Sequence, residues 1–237
     1  MTVTARLDLA IFDAADIEKV GSFYAELTGW DIVRSDSDRF GIRTPDGQEI
    51  EFQRAPDHVA PRWPGQEHPQ QVHLDLQVDD PETAAGRAVA LGATRLADGP
   101  TWITLADPAG HPFDLCQADG VGPVMTLFAV TFDAADASAL ARFYADLTGM
   151  HVTYDGPEGA LISAGGKNVM FQRISDYNPP RWPDPAYPQQ AHLDLLVDDL
   201  DAGEARALEL GASRIDVGGE RFRVFTDPAG HPFCLIC

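Results

Sequence analysis

The chain has 237 residues, 44% of them apolar, with 17 Lys and Arg against 37 Asp and Glu for a formal charge of −20. That length and apolar content suit one large domain or two small ones with a buried core. A surface so negative repels phosphate backbones and anionic lipid, which sets nucleic acid and membrane surfaces aside as expected partners.

Alternating Leu7, Leu9 and Ile11 predict a first strand. Asp16 can cap a helix whose Ile17, Val20, Phe23, Tyr24 and Leu27 form one apolar stripe, and Gly29 ends it. Short strands follow near 30–34, 40–43 and 48–54, with a turn signal, PDG, at 45–47. After a Pro-rich loop the pattern restarts with a strand over 72–78. Asp80 and Pro81 then read as helix cap and first turn, and an Ala/Leu-rich helix runs to Leu91 with Gly92 as its stop. Strands near 93–97, 101–106 and 112–117 complete a second strand–helix–strand–strand–strand unit.

The whole pattern then returns. FDAAD at 12–16 recurs at 132–136, FYAELTGW at 23–30 as FYADLTGM at 143–150, and HLDLQVDD at 73–80 as HLDLLVDD at 192–199. PRWP at 61–64 recurs at 180–183, and DPAGHPF at 107–113 recurs at 227–233. An offset that moves only from 120 to 119 and back to 120 marks a tandem duplication with one residue lost and one gained in loops. It predicts a first domain over 1–117, a linker over 118–124 and a second domain over 125–237.

Strand alternation puts His73, Asp75 and Gln77 on one face and Leu74, Leu76 and Val78 on the other. Helices should cover the apolar face, so His73, and likewise His192, should line a cavity. Three roles are open to these histidines: a hydrogen-bonded strand-edge residue, an acid–base group in a pocket, or a metal ligand. Gln53 and Gln172 share the parity of Glu51 and Met170 and can offer amides to a ligand. Arg62–Trp63 and Arg181–Trp182 lie in Pro-stiffened loops, where the tryptophans can plug the structure or act as lids over a ligand. His111 and His231 follow a D-P-x-G turn that explains them through a local hydrogen bond. The C-terminal C-L-I-C lies in a strand pattern that points Cys234 and Cys237 to opposite faces, which argues against a redox pair.

This grammar, carried by FYAELTGW, HLDLQVDD, LGATR and DPAGHPF, resembles the vicinal oxygen chelate superfamily and, within it, the glyoxalase-like and bleomycin-resistance-like domains. The resemblance covers both copies from end to end. It implies an α+β fold of four βαβββ units, paired so that their sheets curl into two open cups. A ligand, and often a divalent metal, sits inside such a cup. Superfamily metal sites draw on the first and last strand of each unit. Aligning Leu7 with His73 and Glu51 with Asp114 gives Leu7, Glu51, His73 and Asp114 in copy one, and Leu127, Met170, His192 and Cys234 in copy two. The first-strand histidine is missing from both sets. Copy one still offers a carboxylate–imidazole–carboxylate set suited to Mn, Fe or Zn.

The expectation is a cytoplasmic monomer or homodimer that binds a small, partly apolar organic molecule. His73, Asp75, Gln53, Trp63, His192, Gln172 and Trp182 are its candidate ligand-binding residues. The alternative is a metal-dependent enzyme of lyase, isomerase or dioxygenase type in the first domain, with Glu51, His73 and Asp114 as its catalytic or metal-binding residues. Which units pair to make a cup is left open.

Overall fold

Four successive units of one strand, one helix and three strands fill residues 5–237, the part of the chain that the computed structural model describes. The first unit holds β1 (Ala5–Ala14), α1 (Ile17–Thr28), β2 (Asp31–Ser35), β3 (Arg39–Arg43) and β4 (Glu49–Arg54). The second holds β5 (Val72–Val78), α2 (Pro81–Ala90), β6 (Thr94–Asp98), β7 (Trp102–Ala106) and β8 (Pro112–Gln117). The third runs through β9 (Thr126–Ala134), α3 (Ala137–Thr148), β10 (His151–Asp155), β11 (Gly159–Ala164) and β12 (Lys167–Arg173). The fourth comprises β13 (Ala191–Val197), α4 (Leu200–Glu209), β14 (Ser213–Gly219), β15 (Phe222–Thr226) and β16 (Pro232–Ile236).

Local chemistry sets these boundaries. The Asp16 carboxylate accepts the Lys19 backbone N–H at 3.0 Å, satisfying one of the free donors at the start of α1. Gly29 ends that helix at φ 80°, a left-handed conformation that costs glycine little and other residues much more. Asp80 caps α2 in the same way, with Pro81 pre-set at its first turn.

The sheets do not follow the copies. One eight-stranded sheet has the order β14-β15-β16-β13-β1-β4-β3-β2 and the other β10-β11-β12-β9-β5-β8-β7-β6. The first and fourth units therefore share one sheet, joined by antiparallel β1 and β13, and the second and third share the other through β5 and β9. We call the concave faces the outer cup and the inner cup.

Behind the sheets the association is different. The Phe23 and Tyr24 rings of α1 lie 5.8 and 5.7 Å from Phe113 of β8, both edge-on, and Tyr24 stacks on Phe52 at 5.4 Å. Copy two repeats this, with Tyr144 stacked on Phe171 at 5.4 Å and edge-on to Phe233. The rings of Phe52, Phe113, Phe171 and Phe233 are fully buried, each contributing about 1.5–3 kcal/mol from burial alone. Each copy is thus held together by an aromatic core between its two units, while each cup is a sheet that spans the two copies.

Candidate functional site in two cups

The inner cup is built on the parity of β5. His73 and Asp75 face inward while Val72, Leu74 and Leu76 are buried on the other side. Parallel pairing sets Asp75 beside Asp114 of β8, and antiparallel pairing sets His73 opposite Thr131 of β9. The imidazole Nε2 lies 3.5 Å from Asp75 Oδ1 and 3.9 Å from Asp114 Oδ2. Thr131 donates its hydroxyl to Asp75 Oδ2 at 2.5 Å, and the Gln70 amide donates to both oxygens of Asp133 at 3.3 and 3.2 Å. Burial works to depress the His73 pKa, but the nearby carboxylates of Asp75, Asp114 and Asp133 outweigh it and hold the group at about 9. Burial raises Asp114 and Asp133 above the usual carboxylate range, against the pull of His73. His73 Nδ1 and Asp114 Oδ1 are buried without a hydrogen-bond partner. The cavity measures about 490 Å³, and Trp63, Trp102 and Met170 contribute apolar lining.

The outer cup uses the same positions with different residues. His192 pairs across the sheet with Ile11, and Asp194 lies beside Cys234 of β16. The Gln189 amide nitrogen donates to Asp13 Oδ2 at 3.1 Å and to His192 Nδ1 at 2.9 Å. That bond leaves the imidazole proton on Nε2, 3.5 Å from Asp194 Oδ1. Burial, reinforced by the positive charge of Arg39, pushes the His192 pKa down to about 3, so this histidine is neutral. The contact with Asp194 is accordingly a hydrogen-bonding approach rather than an ion pair. Burial lifts Asp194 to about 6 and Asp13 to about 7, and it raises the Cys234 thiol, which stays protonated. The cavity is the larger of the two, about 880 Å³.

The exchange of units redistributes the residues predicted from sequence. Glu51 does not converge with His73 and Asp114. It lies on β4 in the outer cup, opposite Ile11, while His73 and Asp114 lie in the inner cup. There Glu51 is occupied by two arginines, Arg34 at 3.3 Å and Arg39 at 3.6 Å. Gln53 and Trp182 line the outer cup with His192, whereas Trp63, Asp75 and Gln172 line the inner cup with His73. The first-strand positions also move by two residues. A register skip separates Leu7 from Leu9, so Leu9 stands opposite Asp194 while Leu7 packs against the core. The equivalent skip puts Ala129 opposite Asp75 and turns Leu127 toward Leu76 on the helix-covered face. The four positions are therefore Leu9, Glu51, His192 and Cys234 in the outer cup, and Ala129, Met170, His73 and Asp114 in the inner cup.

Sequence reasoning missed Arg39, Asp13 and Gln189 in the outer cup, and Thr131, Asp133 and Gln70 in the inner one. For Arg39 a signal existed. It pairs with Gln53, so it shares the inward parity of Glu51. The corresponding partner of Gln172 in copy two is Gly159, which has no side chain. The turn histidines have a structural place. His111 Nδ1 meets Asp107 Oδ2 at 3.0 Å and His231 Nδ1 meets Asp227 Oδ2 at 3.1 Å, deep under the sheets. All three cysteines are free.

Paired βαβββ units with a buried polar cluster at the floor of each cup define a protein of the vicinal oxygen chelate superfamily. Residues 10–116 and again 129–236 match the family described as a glyoxalase-like domain, and the chain belongs to that family. Its fold is similar to that of glyoxalase I from Zea mays, at 17% identity and a TM-score of 0.66, covering 98% of this chain and 92% of that one. A putative dioxygenase from Bacillus subtilis is similar at 11% identity and a TM-score of 0.62, covering 100% and 86% of the two chains. The cppA protein of Streptococcus pneumoniae is similar at 12% identity and a TM-score of 0.53, covering 99% and 98%. No curated protein sequence matches the chain. Among the described residues, no helix is long and apolar enough to cross a membrane.

Proposed function

We propose that the protein binds a small, partly apolar organic molecule in its outer cup. The observation that carries this reading is the 880 Å³ cavity, whose lining combines Arg39, His192 and Asp194 with Val224, Phe222 and Ile236. Pockets for organic ligands typically measure about 300–1,000 Å³ and combine apolar walls with a few polar groups. A thermal-shift screen of aromatic and alicyclic compounds tests the reading, because a ligand that binds only the folded chain raises the melting midpoint. Ile236→Trp, which fills the outer cup, is expected to abolish the shift. Shifts that survive this substitution, or none from any compound, would sink the proposal.

A second reading, a metal-dependent enzyme of lyase, isomerase or dioxygenase type, is favoured by one observation in the inner cup. Ligand atoms of His73, Asp75 and Asp114 lie within 4.8 Å of one another. Their nitrogen and oxygen donors, with the unpartnered His73 Nδ1 and Asp114 Oδ1 beside them, fit Mn, Fe or Zn. These three residues would hold the ion, and it would supply Lewis acidity toward a carbonyl or enolate oxygen. Thr131 would orient Asp75. All three donors come from the second unit, so the facing Ala129 and Met170 leave the other side open to a ligand. Elemental analysis of protein purified without a His tag tests this, with His73→Ala expected to lose the metal. Substoichiometric metal that a chelator strips with no change in melting would count against it.

A further inference from the structure

The outer cup departs from a metal site in a specific way. Ligand atoms of His192, Asp194 and Cys234 do lie within 4.8 Å of one another, but of the four family positions Leu9 offers no ligand atom, and Glu51 already faces Arg34 and Arg39 at 3.3 and 3.6 Å. His192 Nδ1 is taken by the Gln189 amide. What stands at the floor instead is the Arg39 guanidinium. Its Nη1 is buried and has no hydrogen-bond partner, since Glu51 at 3.6 Å is within ion-pair range but beyond hydrogen-bond length. Nη1 is thus turned toward Glu51, while the Arg39 side chain as a whole is 24% exposed and lines the cavity, where the rest of the guanidinium can meet an acceptor.

Arg39 reaches this position because β3 pairs it with Gln53, on the inward face of the sheet. Gly41, two residues on and opposite Glu51, leaves the space that the charged cluster occupies. A Cβ there would sit 3.1 Å from Arg34 Cβ and 3.5 Å from Glu51 Cγ. In the inner cup the corresponding residues are Gly159, Leu161 and Met170, so no guanidinium stands at those positions. The cation at the inner floor is instead His73, surrounded by the carboxylates of Asp75, Asp114 and Asp133.

We infer that Arg39 takes the place of a metal ion in the outer cup and anchors a ligand that carries an oxyanion, such as a carboxylate on an apolar body. The inference rests on the small-molecule reading above and names the class of its ligand. The cavity-facing edge of the Arg39 guanidinium donates to the oxyanion, His192 Nε2–H stands as a second donor, and Val224, Phe222 and Ile236 receive the apolar part. Glu51 holds the guanidinium in place from behind and weakens its charge, so its removal should strengthen binding.

Three matched probes test this: 4-fluorobenzoate, 4-fluorobenzamide and 4-fluorobenzylamine, followed by fluorine NMR. Methyl shifts of Val224 and Ile236 report the outer cup, and those of Met170 report the inner one. The benzoate is expected to move the outer-cup methyls and to bind best. Arg39→Met should weaken it by about tenfold or more while changing the amide little, a size set by one charge-assisted hydrogen bond. Arg39→Lys should restore part of the affinity, and Glu51→Gln should tighten the benzoate relative to wild type. Zinc should leave the outer-cup methyls unmoved. Benzamide or benzylamine binding as well as benzoate would overturn the inference and leave the small-molecule reading standing. So would benzoate affinity unchanged in a folded Arg39→Met, or benzoate binding that requires zinc. If Arg39→Met fails to fold, Arg39→Lys and Glu51→Gln still decide, since equal benzoate affinity in both would refute it. No probe moving the outer-cup methyls would remove the small-molecule reading and this inference together.

Discussion

The two cups share a scaffold and differ in which wall carries charge. In the inner cup the second unit supplies His73, Asp75 and Asp114, and the third unit adds Asp133 but has Gly159, Leu161 and Met170 where the first unit has Arg39, Gly41 and Glu51. In the outer cup the first unit supplies Arg34, Arg39 and Glu51, and the fourth places Cys234 and Val224 where Asp114 and Thr104 stand in the inner cup. The consequence is visible in the paired histidines. His73 sits among carboxylates and is held protonated to about 9, while His192, beside Arg39, is neutral down to about 3. Exchange of units makes this divergence possible. Each cup takes one unit from each copy, so a substitution in the first unit changes the outer cup and leaves the inner one untouched.

The largest expected effect tests whether the copies, rather than the cups, are the units of stability. Beneath the outer cup Asp227 Oδ2 accepts from the Tyr144 hydroxyl at 2.9 Å and faces His231 Nδ1 at 3.1 Å, while Oδ1 accepts the Ala229 and His231 backbone N–H groups. This fully buried carboxylate ties the helix of the third unit to the last turn of the fourth. Asp227→Ala strips four donors of their acceptor and is expected to cost about 3–5 kcal/mol in urea unfolding. Asp107→Ala should cost a similar amount through Tyr24 and His111 in copy one. A loss below about 1 kcal/mol in both would show that the sheets alone hold the chain together.

Most of the fold was legible because its signals are local. Parity named the inward face of the strand from Val72 to Val78, the caps at Asp16 and Asp80 set the helix starts, and the repeat counted the units. The pairing of units was not legible. β1 can meet β5 or β13 with the same alternation, and nothing in either strand distinguishes the two edges. Pairing within a copy brings Glu51 to His73, whereas the two lie in different cups. The register skips at Leu7/Leu9 and at Leu127/Ala129 were hidden as well, since leucines on either side of each skip read as continuous alternation. Counting back from the capping aspartates would have found them. His73 precedes Asp80, and Leu9 precedes Asp16, by the same number of residues.

A pH titration sharpens the contrast between the histidines. Against an ordinary value of about 6.5, the raised pKa of His73 contributes stability that is complete below pH 6.5 and is lost as pH rises through 9. His192 works in the opposite direction. Its unfolded imidazole takes up a proton below about 6.5 that the folded one refuses, so stability falls as the pH drops toward 3. Nitrogen-resolved NMR should show His192 neutral, with its proton on Nε2, between pH 5 and 8, and His73 doubly protonated over the same range. His73→Asn should flatten the alkaline decline in stability and His192→Asn the acid one. A shared mid-range titration of both would erase the electrostatic difference between the cups.

The smallest expected effect concerns the loops that enter the second and fourth units. In copy two the Tyr177 hydroxyl donates to the Ala229 carbonyl at 2.7 Å and lies 3.3 Å from His231 Nε2, closing the buried network. His58 stands in its place in copy one. Its ring is 4.8 Å from that of His111, and His58 Nδ1 and His111 Nε2 are both buried without partners. Burial and the neighbouring His111 charge depress the His58 pKa to about 4; the neutral ring donates Nε2–H to the Ala109 carbonyl at 3.0 Å, and its acceptor Nδ1 does not meet His111 Nε2. Copying the residue of copy two into copy one, as His58→Tyr, should bring a hydroxyl toward His111 Nε2. The gain should be about 1 kcal/mol, the net worth of one buried hydrogen bond. Urea unfolding at pH 7 measures it, and a loss of stability would mean that the two loops approach their turns differently despite their common sequence.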